Sequence, residues 1–336
     1  MLGCLLGTAV GDALGLPAEG LSRKRVAKFA LGQDHRFVFG RGMFSDDTEH
    51  TLMVAAALAK HRGDMPAVQR AFAWELRWWF LALPAGVGLS TARAVIRLWL
   101  GFPPSRAGVK SAGNGAAMRS AVIGVVFGDN AEKRREMALA LCRVTHRGPH
   151  AEESALIVAE AAALAAKGME QAAILAELEP LVQTEEMRMR FAVLKDCLKE
   201  GMSVGEYAER IGCIHGVSGY APNSVAVALY AWLRHRGDFG SALRSVIACG
   251  GDTDTVAAIT GAICGTETGE AGIQRTWIDG IWEWPRSLDY IRRMADALAS
   301  GNDHAPRYFW PAVLLRNLFF LAVVILHGFR RMLPPY

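Results

Sequence analysis

Two short acidic segments, residues 45–49 (SDDTE) and residues 250–255 (GGDTDT), each stand directly before a long apolar stretch of the chain. Carboxylate and hydroxyl oxygens on a short turn are the hard ligands that Mg²⁺ and Mn²⁺ prefer in proteins. Helix capping is the competing explanation, because Ser or Asp at the N-cap and acids in the first turn also stabilise the start of a helix. Capping explains the first segment about as well as a metal site does. It explains the two aspartates, two threonines and glycine pair of the second segment less well.

Considered together, the two acidic segments favour a metal site over capping. A two-metal site holds its ions about 3.5–4 Å apart and bridges them with carboxylates from different parts of the chain. Asp46, Asp47, Asp252 and Asp254 would be sufficient, with Glu19 as a fifth candidate. This glutamate follows a glycine and a proline that break the first helical pattern, and by itself it would be interpreted as a solvated surface residue.

A third segment, residues 111–119 (SAGNGAAMR), contains glycines that permit a tight turn and a close approach of the backbone to a ligand. If a helix begins near Ala116, its free N–H groups could hold a phosphate or a ribose. An ordinary Asn-Gly turn is the alternative. The segment lacks the third glycine and the preceding strand of a dinucleotide-binding fingerprint, and the chain contains no P-loop, protein-kinase or G-x-S-x-G pattern. His146, four residues before His150, is by default an ordinary core or surface histidine.

The elements that must position these segments are helices. The chain of 336 residues is 51% hydrophobic and 21% charged, which provides enough apolar material for a large buried core. Apolar residues recur at helical spacing in eight stretches, whereas alternating strand patterns are scarce. The sequence therefore predicts an all-α fold without a doubly wound sheet. The predicted helices are residues 48–61, 70–82, 91–100, 131–144, 151–166, 185–199, 224–234 and 288–298.

Small residues recur every four positions at two places far apart in the sequence. Such a repeat lies on one face of a helix and allows two helix backbones to approach closely. Because Asp12 interrupts the first run, we expect tight packing in a soluble core rather than membrane-spanning helices. The loops that flank the two helices would then lie near each other. The two sets are Gly3, Gly7, Gly11 and Gly15, and Ala257, Gly261 and Gly265.

Charge and cysteine content argue against several classes of protein. The formal net charge of +4 is mild and is not concentrated in clusters of basic and aromatic residues, so no nucleic-acid partner is expected. None of the six cysteines forms a C-x-x-C pair, and their apolar neighbours indicate reduced core thiols in a cytoplasmic protein. The apolar residues 1–10 lack the basic region of a signal peptide, and Asp12 falls where the apolar stretch would have to continue. A signal peptide is therefore not expected.

In order and spacing, these motifs resemble those of the ADP-ribosylglycohydrolase family, which includes the glycohydrolase that reactivates dinitrogenase reductase. Each motif alone is modest support, but the ordered set is highly specific. The similarity extends from the N-terminus to about residue 272, and more weakly to about residue 298. The matching stretches are residues 7–19 (GTAVGDALGLPAE), 45–49 (SDDTE), 113–119 (GNGAAMR), 145–146 (TH), 219–220 (GY) and 250–265 (GGDTDTVAAITGAICG).

The resemblance implies a compact single-domain orthogonal helical bundle over residues 1–300, with two Mg²⁺ ions in a central cleft and Mn²⁺ able to substitute. It implies catalytic roles for Glu19, Asp47 and Asp254, of which Glu19 would contact both metal and substrate. The implied metal ligands are Ser45, Asp46, Asp47, Asp252, Asp254 and Thr255. The implied substrate-binding residues are Gly113, Asn114, Gly115, Met118, His146 and Tyr220.

The implied activity is magnesium-dependent hydrolysis of the glycosidic bond between ADP-ribose and a modified protein side chain, with an arginine linkage as the first expectation. A carboxylate, either Glu19 or one of the aspartates, would take the proton of the attacking water. The expected partner is an ADP-ribosylated protein.

Two alternatives to this function stay open. One is a non-catalytic relative that binds ADP-ribose or serves structurally, as a lens crystallin similar to this family does, although both acidic segments are retained here. The other is the same hydrolase chemistry used as immunity against an ADP-ribosylating toxin.

Residues 301–336 are predicted to form a linker and an apolar C-terminal tail helix that the resemblance does not explain. The apolar run from residue 308 to residue 326 barely reaches the ~20 residues that a membrane-spanning helix needs, and Arg316 and Asn317 would lie near mid-bilayer. Membrane association is the less favoured expectation. The more favoured one is a helix docked on the domain or a partner, with Arg316 facing water. Because every matched motif lies upstream, deletion after residue 303 is expected to leave hydrolase activity intact.

Overall fold

Helices dominate the computed structural model, which describes residues 1–301 and 304–332. The all-α prediction is confirmed, and each of the eight predicted stretches lies largely within a helix. The described helices are α1 (Leu2–Gly15), α2 (Arg23–Lys28), α3 (Asp46–His61), α4 (Met65–Leu81), α5 (Leu89–Trp99), α6 (Pro104–Ala107), α7 (Ala121–Val126), α8 (Ala131–Cys142), α9 (Pro149–Ala166), α10 (Gln171–Leu178), α11 (Glu185–Glu200), α12 (Val204–Arg210), α13 (Ala221–Arg234), α14 (Phe239–Ile247), α15 (Thr253–Thr268), α16 (Arg275–Asp279), α17 (Leu288–Ser300) and α18 (Trp310–Arg330).

Short 3₁₀ turns and two-residue strands complete the described part of the fold. The strand β1 (Leu21–Ser22) pairs antiparallel with β4 (Gly250–Gly251), and β2 (Val109–Lys110) pairs parallel with β3 (His146–Arg147). These pairs connect loops that lie far apart in sequence. The first pair holds the second acidic segment beside the loop after α1, and the second pair holds His146 beside the segment that leads into the glycine-rich turn. Part of the predicted linker, residues 302–303, and residues 333–336 lie outside the described residues. The 3₁₀ turns are Leu16–Ala18, Asn114–Arg119, Glu179–Leu181 and Glu270–Gly272.

The helices α1 and α15 run antiparallel with their small-residue faces in contact, as the four-residue repeats predict. A Cβ atom added at Gly7 would collide with the carbonyl oxygen of Gly261, and one added at Gly11 would collide with that of Ala257. Because backbone meets backbone directly, neither helix can rotate or slide without a clash. The end of α1 is therefore held against the start of α15, where the Thr253 hydroxyl donates a 2.8 Å hydrogen bond to the Gly15 carbonyl.

The C-terminal helix α18 docks on the rest of the molecule through its polar residues. The Arg316 guanidinium is buried, pairs with the Glu283 carboxylate and donates a 2.6 Å hydrogen bond to the Phe44 carbonyl. The buried Asn317 amide donates to the Ala82 carbonyl at 2.9 Å. The expectation that Arg316 faces water is therefore wrong. The buried Glu283 carboxylate attracts the guanidinium inward, because a buried carboxylate without a partner is strongly unfavourable.

Candidate active site

The start of α3 is capped by two residues other than its adjacent aspartates. Ser45 is the N-cap residue, and its hydroxyl accepts a hydrogen bond from the Asp47 amide at 3.3 Å. The fully buried Asp12 carboxylate on α1 accepts hydrogen bonds from the Ser45 amide at 2.9 Å and from the Thr48 amide and hydroxyl at 3.0 and 2.6 Å. Since these groups satisfy the helix start, capping does not account for the Asp46 carboxylate or for that of Asp47.

Asp12 is a site-positioning residue that sequence reasoning missed. In the sequence Asp12 only interrupts an apolar run, yet its carboxylate joins the end of α1 to the start of α3. The signal that could have found it is a single charged residue in a helix that otherwise carries no charge. A buried carboxylate needs several donors, and a helix N-terminus supplies them.

A single hydrogen bond joins the two acidic segments. The Thr255 hydroxyl on α15 donates to Asp47 Oδ2 at 3.3 Å, and the Ser45 hydroxyl donates to the same oxygen at 3.0 Å. The other carboxylate oxygen, Asp47 Oδ1, is buried and has no hydrogen-bond partner. A buried carboxylate oxygen without a donor is strongly unfavourable, so this atom requires a proton or a cation.

The second acidic segment presents its carboxylates beside the first. Asp252 Oδ2 accepts a 2.5 Å hydrogen bond from the Asn114 amide, and Asp254 Oδ1 accepts one from the Thr255 amide at 2.9 Å. The preceding Gly251 has φ +86°, and a Cβ atom there would collide with the Val217 carbonyl. The glycine pair is therefore required by the close packing of this turn rather than by capping.

The carboxylates raise one another's pKa values. Burial first, and then the charges of Asp12 and Glu49, raise the pKa of Asp46 to about 8. Burial and neighbouring carboxylates also raise the pKa values of Asp47 and Asp254 well above the usual range. At all three positions the strongest charge effects come from other acids. A cluster of this kind is stabilised as anions only if a cation neutralises it.

Glu19 lies in the wall of the cavity. Although more than a third of the residue is exposed, desolvation and the Asp252 charge raise the pKa of its carboxyl, while Arg331 acts in the opposite direction. Glu19 is thus exposed to the cavity, in whose wall it lies together with Asp252, and its role in catalysis stays a prediction.

A cavity of about 500 Å³ brings most of the predicted site residues together. Its wall includes the glycine-rich turn, and a Cβ atom at Gly115 would lie 2.9 Å from His146 Cε1. The His146 imidazole is hydrogen-bonded to the Thr145 hydroxyl at 2.8 Å, and burial lowers its pKa to about 3, so it is neutral. The predicted residues that line the cavity are Glu19, Asp46, Gly113, Asn114, Gly115, Met118, His146, Asp252, Asp254 and Thr255.

Three predicted residues are not among those that line this cavity in the described part of the chain. Ser45 and Asp47 are buried at the start of α3. The Tyr220 ring packs against His150 at 5.6 Å, and its backbone pairs with Gly113. Tyr220 thus supports the glycine-rich turn from outside the cavity, and its predicted contact with substrate stays a prediction.

Arg119 is a second positioning residue that the sequence did not single out. Its fully buried guanidinium donates to the Gly115 carbonyl and, at 2.6 Å, to the Thr145 hydroxyl, while stacking over the Phe72 ring. It therefore ties the glycine-rich turn to the residue that orients His146. An arginine within an apolar segment is the signal that could have indicated this role, because a buried guanidinium needs several acceptors.

Within residues 1–301 and 304–332, no three His, Cys, Asp or Glu side chains are already arranged as a cage for a metal ion. The donor set nevertheless has the chemistry of a magnesium site, since it consists of carboxylate and hydroxyl oxygens with one buried oxygen unsatisfied. The identity of a metal and the roles of the individual ligands stay predictions.

The all-α fold places two acidic helix starts beside a polar cavity, an arrangement of groups that is suited to hydrolysis. The chain belongs to the ADP-ribosylglycohydrolase family, whose model matches residues 1–306. Members of this family hydrolyse glycosyl bonds, and the predictions of the family and of an enzyme are confirmed.

Several relatives match most of the chain. An uncharacterized protein of Archaeoglobus fulgidus is 32% identical, with 88% of this chain and 94% of the relative covered. The ADP-ribosyl-[dinitrogen reductase] glycohydrolase of Rhodospirillum rubrum is 28% identical, with 88% and 94% covered. The ADP-ribosylarginine hydrolase Tri1 of Pseudomonas putida is 25% identical, with 91% and 78% covered. A solved structure titled ADP-ribosylglycohydrolase-related protein complex has a TM-score of 0.66 at 28% identity, covering 90% of this chain and 97% of that one.

Proposed function

We propose that this enzyme hydrolyses the bond between ADP-ribose and an arginine side chain of a modified protein, and that it does so with two Mg²⁺ ions. The observation that carries the proposal is the meeting of two acidic helix starts, 208 residues apart, at the Thr255–Asp47 hydrogen bond beside a polar cavity. The arginine linkage is favoured because a relative that covers most of the chain is an ADP-ribosylarginine hydrolase.

The residues present fit a pair of hard divalent cations. Asp47 Oδ1 is a buried oxygen without a donor, and the neighbouring carboxylates repel one another. When bound, Mg²⁺ would supply a water of lowered pKa and an anchor for the ribose hydroxyls. The residues that would hold it are Ser45, Asp46, Asp47, Asp252, Asp254 and Thr255.

The chain's own residues would divide the work of bond cleavage. The glycine-rich turn binds the ADP-ribose moiety, because its glycines allow the backbone to approach a ligand closely. Asn114 holds the Asp252 carboxylate in place, and the neutral His146 forms part of the wall. A new C–O bond forms between water and ribose C1 while the C1–N bond to the guanidine breaks. The Glu19 carboxylate takes one proton from the water and then passes it to the leaving guanidine, which restores the carboxylate.

A substrate panel tests the linkage. Arginine-, serine- and carboxylate-linked ADP-ribose would each be incubated with the full chain, with Mg²⁺ and with chelator, and free ADP-ribose would be measured. We expect Mg²⁺-dependent release from the arginine-linked substrate. Release only from another linkage would overturn the arginine assignment, and equal release with chelator would overturn the magnesium assignment.

A double-mutant cycle tests whether the two acidic segments serve one metal centre. Asp46→Asn and Asp254→Asn should each remove most activity and most Mg²⁺-dependent thermal stabilisation, and the double variant should be little worse than either. Losses that simply multiply would place the two acids in separate sites. The thermal shift with Mg²⁺ is measured without substrate, so it reports on the metal site independently of turnover.

A further inference from the structure

The C-terminal helix α18 has its polarity reversed relative to an ordinary surface helix. Its buried residues include the charged Arg316 and the polar Asn317 beside Val313 and Phe320. Its outward face carries large apolar side chains at helical spacing, and over half of Leu315 and Phe329 is exposed. A helix on the surface of a soluble protein normally turns its apolar stripe inward. The outward face of α18 is thus built to contact something other than water.

The exposed apolar surface continues beyond the helix. Phe39, at the tip of a turn, is fully exposed beside a groove whose walls include Phe319, Val323 and Leu326 of α18. The Trp282 ring, which is 45% exposed, packs edge-on against Phe319 at 5.7 Å. A contiguous patch of this kind on a folded protein indicates an interaction surface.

Basic side chains surround the C-terminal end of this patch. The Arg25 guanidinium donates a 3.0 Å hydrogen bond to the carbonyl of Arg331, just beyond α18, and the Lys28 ammonium lies 5.4 Å from the centre of the Phe29 ring, which lines the groove. Arg36 is exposed in the groove wall. Residues 20–41 contain six arginines and lysines and one acid, Asp34. Basic charge at the rim of an apolar face complements a bilayer that contains anionic lipid.

Tryptophans occupy the other end of the helix. Trp78 packs edge-on against Trp310 at 5.4 Å and against Trp99 at 6.4 Å, and Trp74 packs against Trp78 at 5.7 Å. Trp74 and Trp99 are each about half exposed. Tryptophan is enriched at the headgroup level of membranes because its ring is apolar and its N–H is polar.

We propose that α18 binds the enzyme to the surface of an anionic lipid bilayer, lying in the plane of the interface with its outward apolar face among the acyl chains. By length and composition α18 is the one described helix that could cross a membrane. To span a membrane, α18 would have to leave the protein, and the buried Glu283 carboxylate would then lose its ion pair with Arg316. The docked position satisfies these charges and leaves the apolar face available, so binding parallel to the surface is favoured. This inference does not depend on the substrate proposed above.

Flotation of the full chain with lipid vesicles tests the proposal. Phosphatidylcholine vesicles are compared with vesicles that also contain about 30% phosphatidylglycerol. The outward face is changed by Leu318→Glu with Ile325→Glu, and the matched control is Met189→Glu on α11, where the methionine is 55% exposed. All three positions are exposed, so folding should be preserved, and the midpoint of thermal unfolding verifies this for each variant.

We expect the parent chain to float with the anionic vesicles, the double variant to bind at least about tenfold more weakly, and the control to bind normally. A second variant, Lys28→Gln with Arg36→Gln, should reduce binding to anionic vesicles and leave the weak binding to phosphatidylcholine unchanged. Failure of the parent chain to bind, or equal binding of the double variant and the control, would overturn the proposal. A parent dimer that becomes monomeric in the double variant, without vesicle binding, would assign the face to a second copy of the chain.

Discussion

The α1–α15 pair and α18 are positioned by opposite means. In the first, glycines bring two backbones into direct contact, and the polar site is assembled where the pair ends. In the second, a buried ion pair and an amide fasten a helix whose apolar side faces outward. Direct backbone contact between α1 and α15 leaves the two helices little freedom to move. An active site requires such rigid positioning of its residues. A helix held by a few polar contacts leaves its apolar surface free for another role.

The largest expected effect is on turnover at the active-site end of the α1–α15 pair. Glu19→Gln should reduce kcat by about 10²–10⁴-fold while preserving the fold, because a positioned base is lost. The raised pKa of Glu19 means that activity of the parent enzyme should fall as the pH drops through that raised value. The variant should lose this limb of the pH–rate profile.

The control for this prediction is Glu185→Gln, which changes an exposed glutamate on α11. It should leave both kcat and the pH profile unchanged. Near-normal turnover in the Glu19 variant would remove this residue from the mechanism.

The largest expected effect on stability is at α18. Arg316→Met should lower the free energy of unfolding by about 3–5 kcal/mol, because it leaves the buried Glu283 carboxylate unpaired. Adding Glu283→Gln should restore part of the loss. The exposed pair of Arg293 with Asp289 provides the control, since Arg293→Met should change stability by less than about 1 kcal/mol.

Urea unfolding monitored by circular dichroism measures these differences. Equal effects of the two arginine substitutions would show that the buried pair does not fasten α18. The inward position of Arg316 also changes the expectation for the truncation after residue 303. Such a chain should be less stable, because it would keep Glu283 and lose its partner.

A matched pair of glycine substitutions separates the two kinds of packing. Gly261→Ala should destabilise the protein by about 2–4 kcal/mol, because the new Cβ atom collides with the Gly7 carbonyl. Gly328→Ala on α18 meets no atom within contact distance and should be neutral or stabilise by up to about 1 kcal/mol. Effects of the same sign in thermal unfolding would contradict the contrast between the two regions.

The smallest expected effect concerns the glycine-rich turn. Gly115→Leu should raise KM for the modified substrate by about tenfold and also lower stability, since the side chain would press on the buried His146 ring and extend into the cavity. Titration calorimetry with ADP-ribose provides the measurement. An unchanged affinity would show that this glycine serves only the packing of the turn.

Much of the candidate site could be predicted because its chemistry is local. The pairs of aspartates at two helix starts and the glycine-rich turn are visible as short patterns, and ten of the predicted residues do line one cavity. Asp12 and Arg119 could not be assigned roles from local patterns, because each joins its own segment to a partner more than 20 residues away. Short helices such as α2 and α6 lie outside the predicted stretches because one or two turns offer too little periodicity.

The sequence by itself determined the helical class, the small-residue faces of α1 and α15, and the carboxylate and hydroxyl groups available for catalysis, since each follows from residue type and spacing. The tertiary structure alone decided which groups meet. It placed the Thr255 hydroxyl against Asp47, assigned the capping of α3 to Asp12, and turned Arg316 inward. Periodicity specifies which face of a helix is apolar. The direction in which a buried charged side chain points depends instead on where its ion-pair partner lies, and the position of that partner is defined only when distant segments pack together.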